Sequence, residues 1–161
     1  MSDRLLALHD ALLAHFGPQH WWPGDSPFEV MVGAVLTQNT NWQNVNRALA
    51  NLKNEVLLSF AALEALPLEV LAEKIRPSGY YRLKAGRLLN LLAFLRAEYD
   101  GDIDAFFSDR LPEVREKLLA VKGIGPETAD SILLYAAEKP VFVVDAYTHR
   151  ILARHGLIFE G

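Results

Sequence analysis

Apolar residues recur at three- and four-residue spacing along most of the chain. Leu5, Leu6, Leu8, Leu12, Leu13 and Phe16 make the stripe of an amphipathic opening helix that ends near Gly17-Pro18. A polar and aromatic loop, His20-Trp21-Trp22-Pro23-Gly24-Asp25, follows. Phe28 to Leu36 is almost continuously apolar, and Val45, Leu49 and Leu52 continue at helical spacing beyond Thr37-Gln38-Asn39-Thr40. Two helices with a polar break account for both runs. Ser59 opens a short capped helix, and Pro67 lies near the first turn of the next. Arg76 to Tyr81 reads as a turn before a helix from about Arg82 to Glu98. Shorter segments begin at Asp104 and at Leu111-Pro112, helices Glu113–Val121 and Glu127–Ala137 flank a glycine turn, and Pro140 to Val144 is extended. Asp145 caps a last helix to about His155. No alternating run is long enough for a sheet, so the class predicted is all-α.

Composition narrows the function. Of 161 residues, 51% are hydrophobic and 22% charged, an ordinary globular mixture. No apolar run approaches the roughly 20 residues that span a bilayer, and the N-terminus does not resemble a signal peptide, so a cytoplasmic setting without membrane contact is expected. There is no cysteine, which excludes disulfides, thiolate zinc sites, cysteine nucleophiles and a cysteine-ligated iron–sulfur cluster within these residues. The five histidines show no metal-ligand spacing, and no metal site is expected from side chains. The net charge of −4 means that an anionic partner must be met by a local patch. Residues 75–95 offer one, with Arg76, Arg82, Lys84 and Arg87 and no acid, although a solvated charged face explains the same run.

The most informative segment is Leu118-Leu119-Ala120-Val121-Lys122-Gly123-Ile124-Gly125-Pro126-Glu127-Thr128-Ala129. Two glycines around one apolar residue allow a tight turn in which Ile124 tucks inward. Pro126 suits the first turn of the next helix, whose free amides can cradle a phosphate. A plain turn between packed helices is the competing reading.

This segment resembles the helix–hairpin–helix of the endonuclease III superfamily of DNA glycosylases. Three further stretches match it in order: Phe28 to Thr40, Gly79 to Leu88, and Pro140 through Asp145-Ala146-Tyr147-Thr148-His149-Arg150. The resemblance implies two helical lobes with a DNA cleft between them. One comprises about residues 26–138, with the hairpin at about 113–137. The other comprises 1–25 plus 139–161 and is expected to be partial, because relatives continue for several helices past the aspartate helix. It also implies that Lys122, Gly123, Ile124 and Gly125 meet the DNA backbone, helped by Lys84 and Arg87. Gln38 and Asn39 are candidates to fill the hole left by a flipped nucleotide. By the same resemblance Asp145 would be the catalytic carboxylate that stabilises positive charge on the sugar, a role that can coexist with N-capping. An alkali ion at the hairpin carbonyls is compatible with the motif.

Two departures choose among subfamilies. Members that cut the strand use a lysine two residues after the second hairpin glycine, and here that position is Glu127. A carboxylate cannot form a Schiff base. The cysteine quartet is also missing. With Trp21-Trp22-Pro23 and the segment ending at Trp42, these features resemble the 3-methyladenine DNA glycosylase III type. There, by matching position, Trp21 and Trp42 sandwich the flipped base, with Trp22, Pro23 and Glu127 shaping its pocket. Stacked indoles suit a cationic alkylated purine, while Trp22 equally reads as core. The function expected is a monomeric, DNA-associated glycosylase of base excision repair that acts on double-stranded DNA with a damaged base. It would hydrolyse the glycosidic bond of alkylated purines, 3-methyladenine foremost, without a lyase step and without a cofactor. A monofunctional glycosylase for a deaminated or mismatched base, or an inert helix–hairpin–helix DNA-binding module, remains the alternative.

Overall fold

The computed structural model describes residues 2–158. The expected second lobe also included Met1 and residues 159–161, which lie outside the described residues. Ten α-helices occur among the described residues: α1 (Ser2–Phe16), α2 (Pro27–Leu36), α3 (Trp42–Asn54), α4 (Phe60–Glu64), α5 (Leu68–Lys74), α6 (Tyr81–Tyr99), α7 (Ile103–Ser108), α8 (Leu111–Leu119), α9 (Pro126–Ser131) and α10 (Ala146–Arg154). A 3-10 turn, Arg76–Ser78, precedes α6, and α9 runs on into a π-helical turn, Ile132–Ala136. No strand occurs among the described residues, and the protein is all-α.

Local chemistry explains the helix starts. Pro27 takes the first position of α2, Glu29 Oε2 accepts from Asp25 N just ahead of it at 2.9 Å, and Ser26 caps the helix by accepting from Glu29 N at 3.2 Å. Asn41, Ser59 and Asp102 cap α3, α4 and α7 in the same manner. Pro67 occupies the cap position of α5 without a side-chain bond.

The chain divides into two compact units. One comprises residues 24–142 and holds the main core. Eight consecutive residues of α2, from Glu29 to Leu36, are buried, and α2 packs against α3, α6, α9 and the π turn. Burying every face of a helix makes it an axis for the others, which explains why its sequence shows no polar stripe. The other unit comprises the described parts of residues 1–23 and 143–161, with α1 and α10.

The unit boundaries lie between residues 23 and 24 and between 142 and 143. Lys53 Nζ pairs with Asp25 Oδ2 and Glu29 Oε1, each at 2.7 Å, which fastens residue 25 to α2 and α3. Lys139 Nζ donates to Asp109 O at 2.6 Å and keeps residue 139 with the larger unit.

Candidate nucleic-acid interface

The hairpin is built as its residue types dictate. Ile124 is buried, and its N–H donates to Val121 O at 3.0 Å, closing the turn. Gly123 stands at φ +94°, in the left-handed region, and a Cβ there would lie 2.4 Å from Arg87 Cγ. Only glycine meets both demands. Pro126 starts α9, Thr128 and Ala129 turn inward, and Lys122, Gly125 and Glu127 are exposed. An open groove of about 470 Å³ runs along the turn, lined by Gln38, Arg87 and hairpin residues 123–128.

The basic track expected along residues 75–95 does not stand as such. Lys84 is buried, with 1% of its surface exposed, and its Nζ donates to Leu36 O at 2.7 Å and Ser78 O at 2.6 Å. These are acceptors at the ends of α2 and of the 3-10 turn, where helix carbonyls lack intrahelical partners and a cation is favoured. Lys84 is therefore not presented at the surface as the expected track requires. Burial, with the Arg87 charge adding to it, pushes its ammonium down to about 8. Arg76 lies 3.5 Å from Glu73, and Arg82 lies 3.6 Å from Glu69. Arg87 faces the groove, but its Nη1 donates to Gln38 Oε1.

The Gln38 side chain is likewise turned toward the protein. Its Nε2 donates to Gly123 O at 3.1 Å and Thr128 Oγ1 at 2.9 Å, so the amide braces the hairpin. Asn39 is exposed at φ +51° and occupies the tip of the polar break. The sequence reading missed Thr128 and Asn90, whose Nδ2 donates to Lys122 O at 2.9 Å. The three-residue spacing of Lys84, Arg87 and Asn90 on one helix was the available signal.

In the smaller unit, Asp145 caps α10. Its Oδ1 accepts from both the N–H and the Oγ1 of Thr148, each at 2.7 Å. The cap thus engages Oδ1, and the side chain is half-buried. Trp21 is 48% exposed, Trp22 is half-buried, and their ring centroids lie 5.2 Å apart with the planes tilted by 49°. Pro23 is exposed. In the larger unit, Trp42 is half-buried in the first turn of α3, while Val45, Ala48, Leu49 and Leu52 form that helix's core face. The expected pocket residues therefore divide, with Trp21, Trp22, Pro23 and Asp145 in one unit and Trp42 and Glu127 in the other.

The chain is similar to known proteins over most of its length. The chain is 45% identical over 159 residues to a "Putative DNA repair glycosylase" of Methanocaldococcus jannaschii, a match covering 98% of this chain and 72% of that protein. It is 34% identical over 132 residues to endonuclease III of Thermotoga maritima, covering 82% of this chain but only 58% of that protein. Among solved structures, the Helicobacter pylori 3-methyladenine DNA glycosylase bound to 1,N6-ethenoadenine superposes with a TM-score of 0.83 at 37% identity, over 99% of this chain and 75% of that one. A non-covalent endonuclease III–DNA complex gives a TM-score of 0.82 at 27% identity, over 99% and 71% of the two chains. The model of the HhH-GPD superfamily of base excision DNA repair proteins matches residues 32–160, and the chain belongs to that superfamily.

Proposed function

We propose that the protein is a DNA glycosylase that removes alkylated purines, 3-methyladenine foremost, by hydrolysis and leaves the strand intact. The observation that carries the hydrolytic reading is Glu127. It is exposed in the first turn of α9 and lines the hairpin groove, at the position where strand-cutting relatives need an amine. A carboxylate there cannot attack the sugar to form a Schiff base. Lys84 is the lysine whose ammonium is drawn down toward neutrality, to about 8, yet it is buried beneath two carbonyls and cannot reach a substrate.

Likeness to the Helicobacter pylori 3-methyladenine glycosylase supports the alkylated-purine class. The indoles of Trp21 and Trp42 suit an electron-poor cationic base, with Trp22, Pro23 and Glu127 shaping its surroundings. Asp145 would stabilise the sugar cation as the bond to the base breaks. The hairpin residues Lys122, Gly123, Ile124 and Gly125 would grip the backbone of duplex DNA, and Asn39 would enter the space left by the flipped nucleotide. An alkali ion held by hairpin carbonyls would belong to that grip.

The experiment is incubation with duplex DNA carrying 3-methyladenine. Free methylated base should be released, the abasic strand should break only after alkali or heat, and borohydride should trap no adduct. Strand scission without alkali, or a trapped complex, would overturn the hydrolytic reading. Duplex binding without base release would reduce the protein to a DNA-binding module, and release from a deaminated or mismatched substrate alone would move it to another lesion class.

A further inference from the structure

We infer that Arg87 and Gln38 form one positioning unit that holds the hairpin in its DNA-binding register, and that Arg87 is not itself a phosphate contact. The inference rests on the proposed DNA-binding role of the hairpin. Its ground is a stripe on α6, where Lys84, Arg87 and Asn90 recur every third residue and so share one face. Lys84 holds Leu36 O and Ser78 O, Arg87 holds Gln38 Oε1, and Asn90 holds Lys122 O. Through these bonds α6 grips both the end of α2 with the polar break after it and the hairpin.

The chemistry of the amide gives the unit its direction. A guanidinium has donors only, so Arg87 can bond the amide through Oε1 alone. That choice leaves both Nε2 hydrogens aimed at the hairpin, where Gly123 O and Thr128 Oγ1 accept them. The two acceptors lie on opposite sides of the Ile124-Gly125-Pro126-Glu127 turn. The same arginine blocks the other side of Gly123, because its Cγ and Cδ fill the space a Cβ would need, at 2.4 and 2.9 Å. Arg87 therefore sets the orientation of Gln38 and abuts the turn that Gln38 holds. In that position the guanidinium's Nη1 is already committed within the protein.

The test compares affinity for undamaged duplex across a salt series in the parent protein, Arg87→Met, Gln38→Met and the double variant. Each single variant should bind roughly tenfold more weakly at every salt concentration, since a displaced brace leaves hydrogen-bonding groups unmet. The salt slope should stay at the parent value, and the double variant should bind no more weakly than the weaker single one. A slope reduced by about 0.9 in Arg87→Met alone is the mark of one lost phosphate contact, and it would overturn the inference. So would additive losses in the double variant. Amide hydrogen exchange in the free protein supplies a readout that needs no DNA. The Ile124 and Ala129 amides, which close the hairpin on Val121 O and Gly125 O, should exchange faster in both single variants, while those inside α8 do not change. Unchanged exchange at Ile124 and Ala129 would refute the brace. If the parent protein binds no duplex, the glycosylase reading fails, and exchange alone decides the brace.

Discussion

The two units are stabilised in different ways. In the larger one, α2, α3, α5, α6, α8 and α9 each send apolar side chains into a shielded core, and Phe106 is enclosed by the rings of Phe94, Tyr99 and Phe107 at centroid distances of 6.2, 5.4 and 5.5 Å. In the smaller one, Leu157 is the one buried residue among those described, and α10 buries none. Leu6, Leu12, Leu13 and Phe16 of α1 are exposed. Asp145 belongs to this thinly packed unit, where its position depends on a local cap. The hairpin belongs to the well-packed one, where α6 and Gln38 hold it. In this protein the residue proposed for chemistry and the elements proposed for grip have different mechanical supports.

The contrast can be broken most directly through packing. Phe106→Ala should cost about 3–5 kcal/mol, because a large ring leaves a cavity in a closed core. Leu6→Ala, on an exposed face, should stay within about 0.5 kcal/mol. Urea unfolding of the two variants measures both values. Equal costs would mean that α1 contributes to a core as closed as that around Phe106.

Asp145→Asn probes the other side of the contrast. It keeps an oxygen that can accept from Thr148 but removes the charge proposed to stabilise the sugar cation. Base release should fall by about 10²–10³-fold, with a melting temperature within about 2 °C of the parent. Activity at the parent level would leave Asp145 as a cap only.

Lys84 sharpens the comparison through pH. Its ammonium, ordinarily at 10.5, is pushed down to about 8 in the folded protein. Below pH 8 both folded and unfolded chains carry the proton, and stability is insensitive to this group. Between about 8 and 10.5 the unfolded chain binds the proton and the folded one does not, so unfolding takes up a proton and stability rises with pH. The rise amounts to at most about 3 kcal/mol. Subtracting the pH profile of Lys84→Met from that of the parent should isolate it. Identical profiles would show that burial does not control this lysine.

Much of this was legible from residue order. Ser59 and Asp145 announced helix starts because a side-chain oxygen three residues before a free amide is a local feature. Glycine, isoleucine, glycine and proline between two apolar stripes announced the hairpin for the same reason, and Glu127 stood where chemistry could be excluded by residue type alone. The direction of long side chains was not legible. Lys84 and Arg87 carry the same charge and lie one turn apart, and along the chain they read as one phosphate track. Tertiary structure sent Lys84 to the orphaned carbonyls of Leu36 and Ser78, and Arg87 to Gln38. Gln38 belongs to a break 85 residues away from the glycine it braces. Caps and turns are decided within a few residues and can be read from sequence. The partner of a flexible cation is decided by which acceptors the fold leaves unmet beside it, and that is known only once the helices are packed.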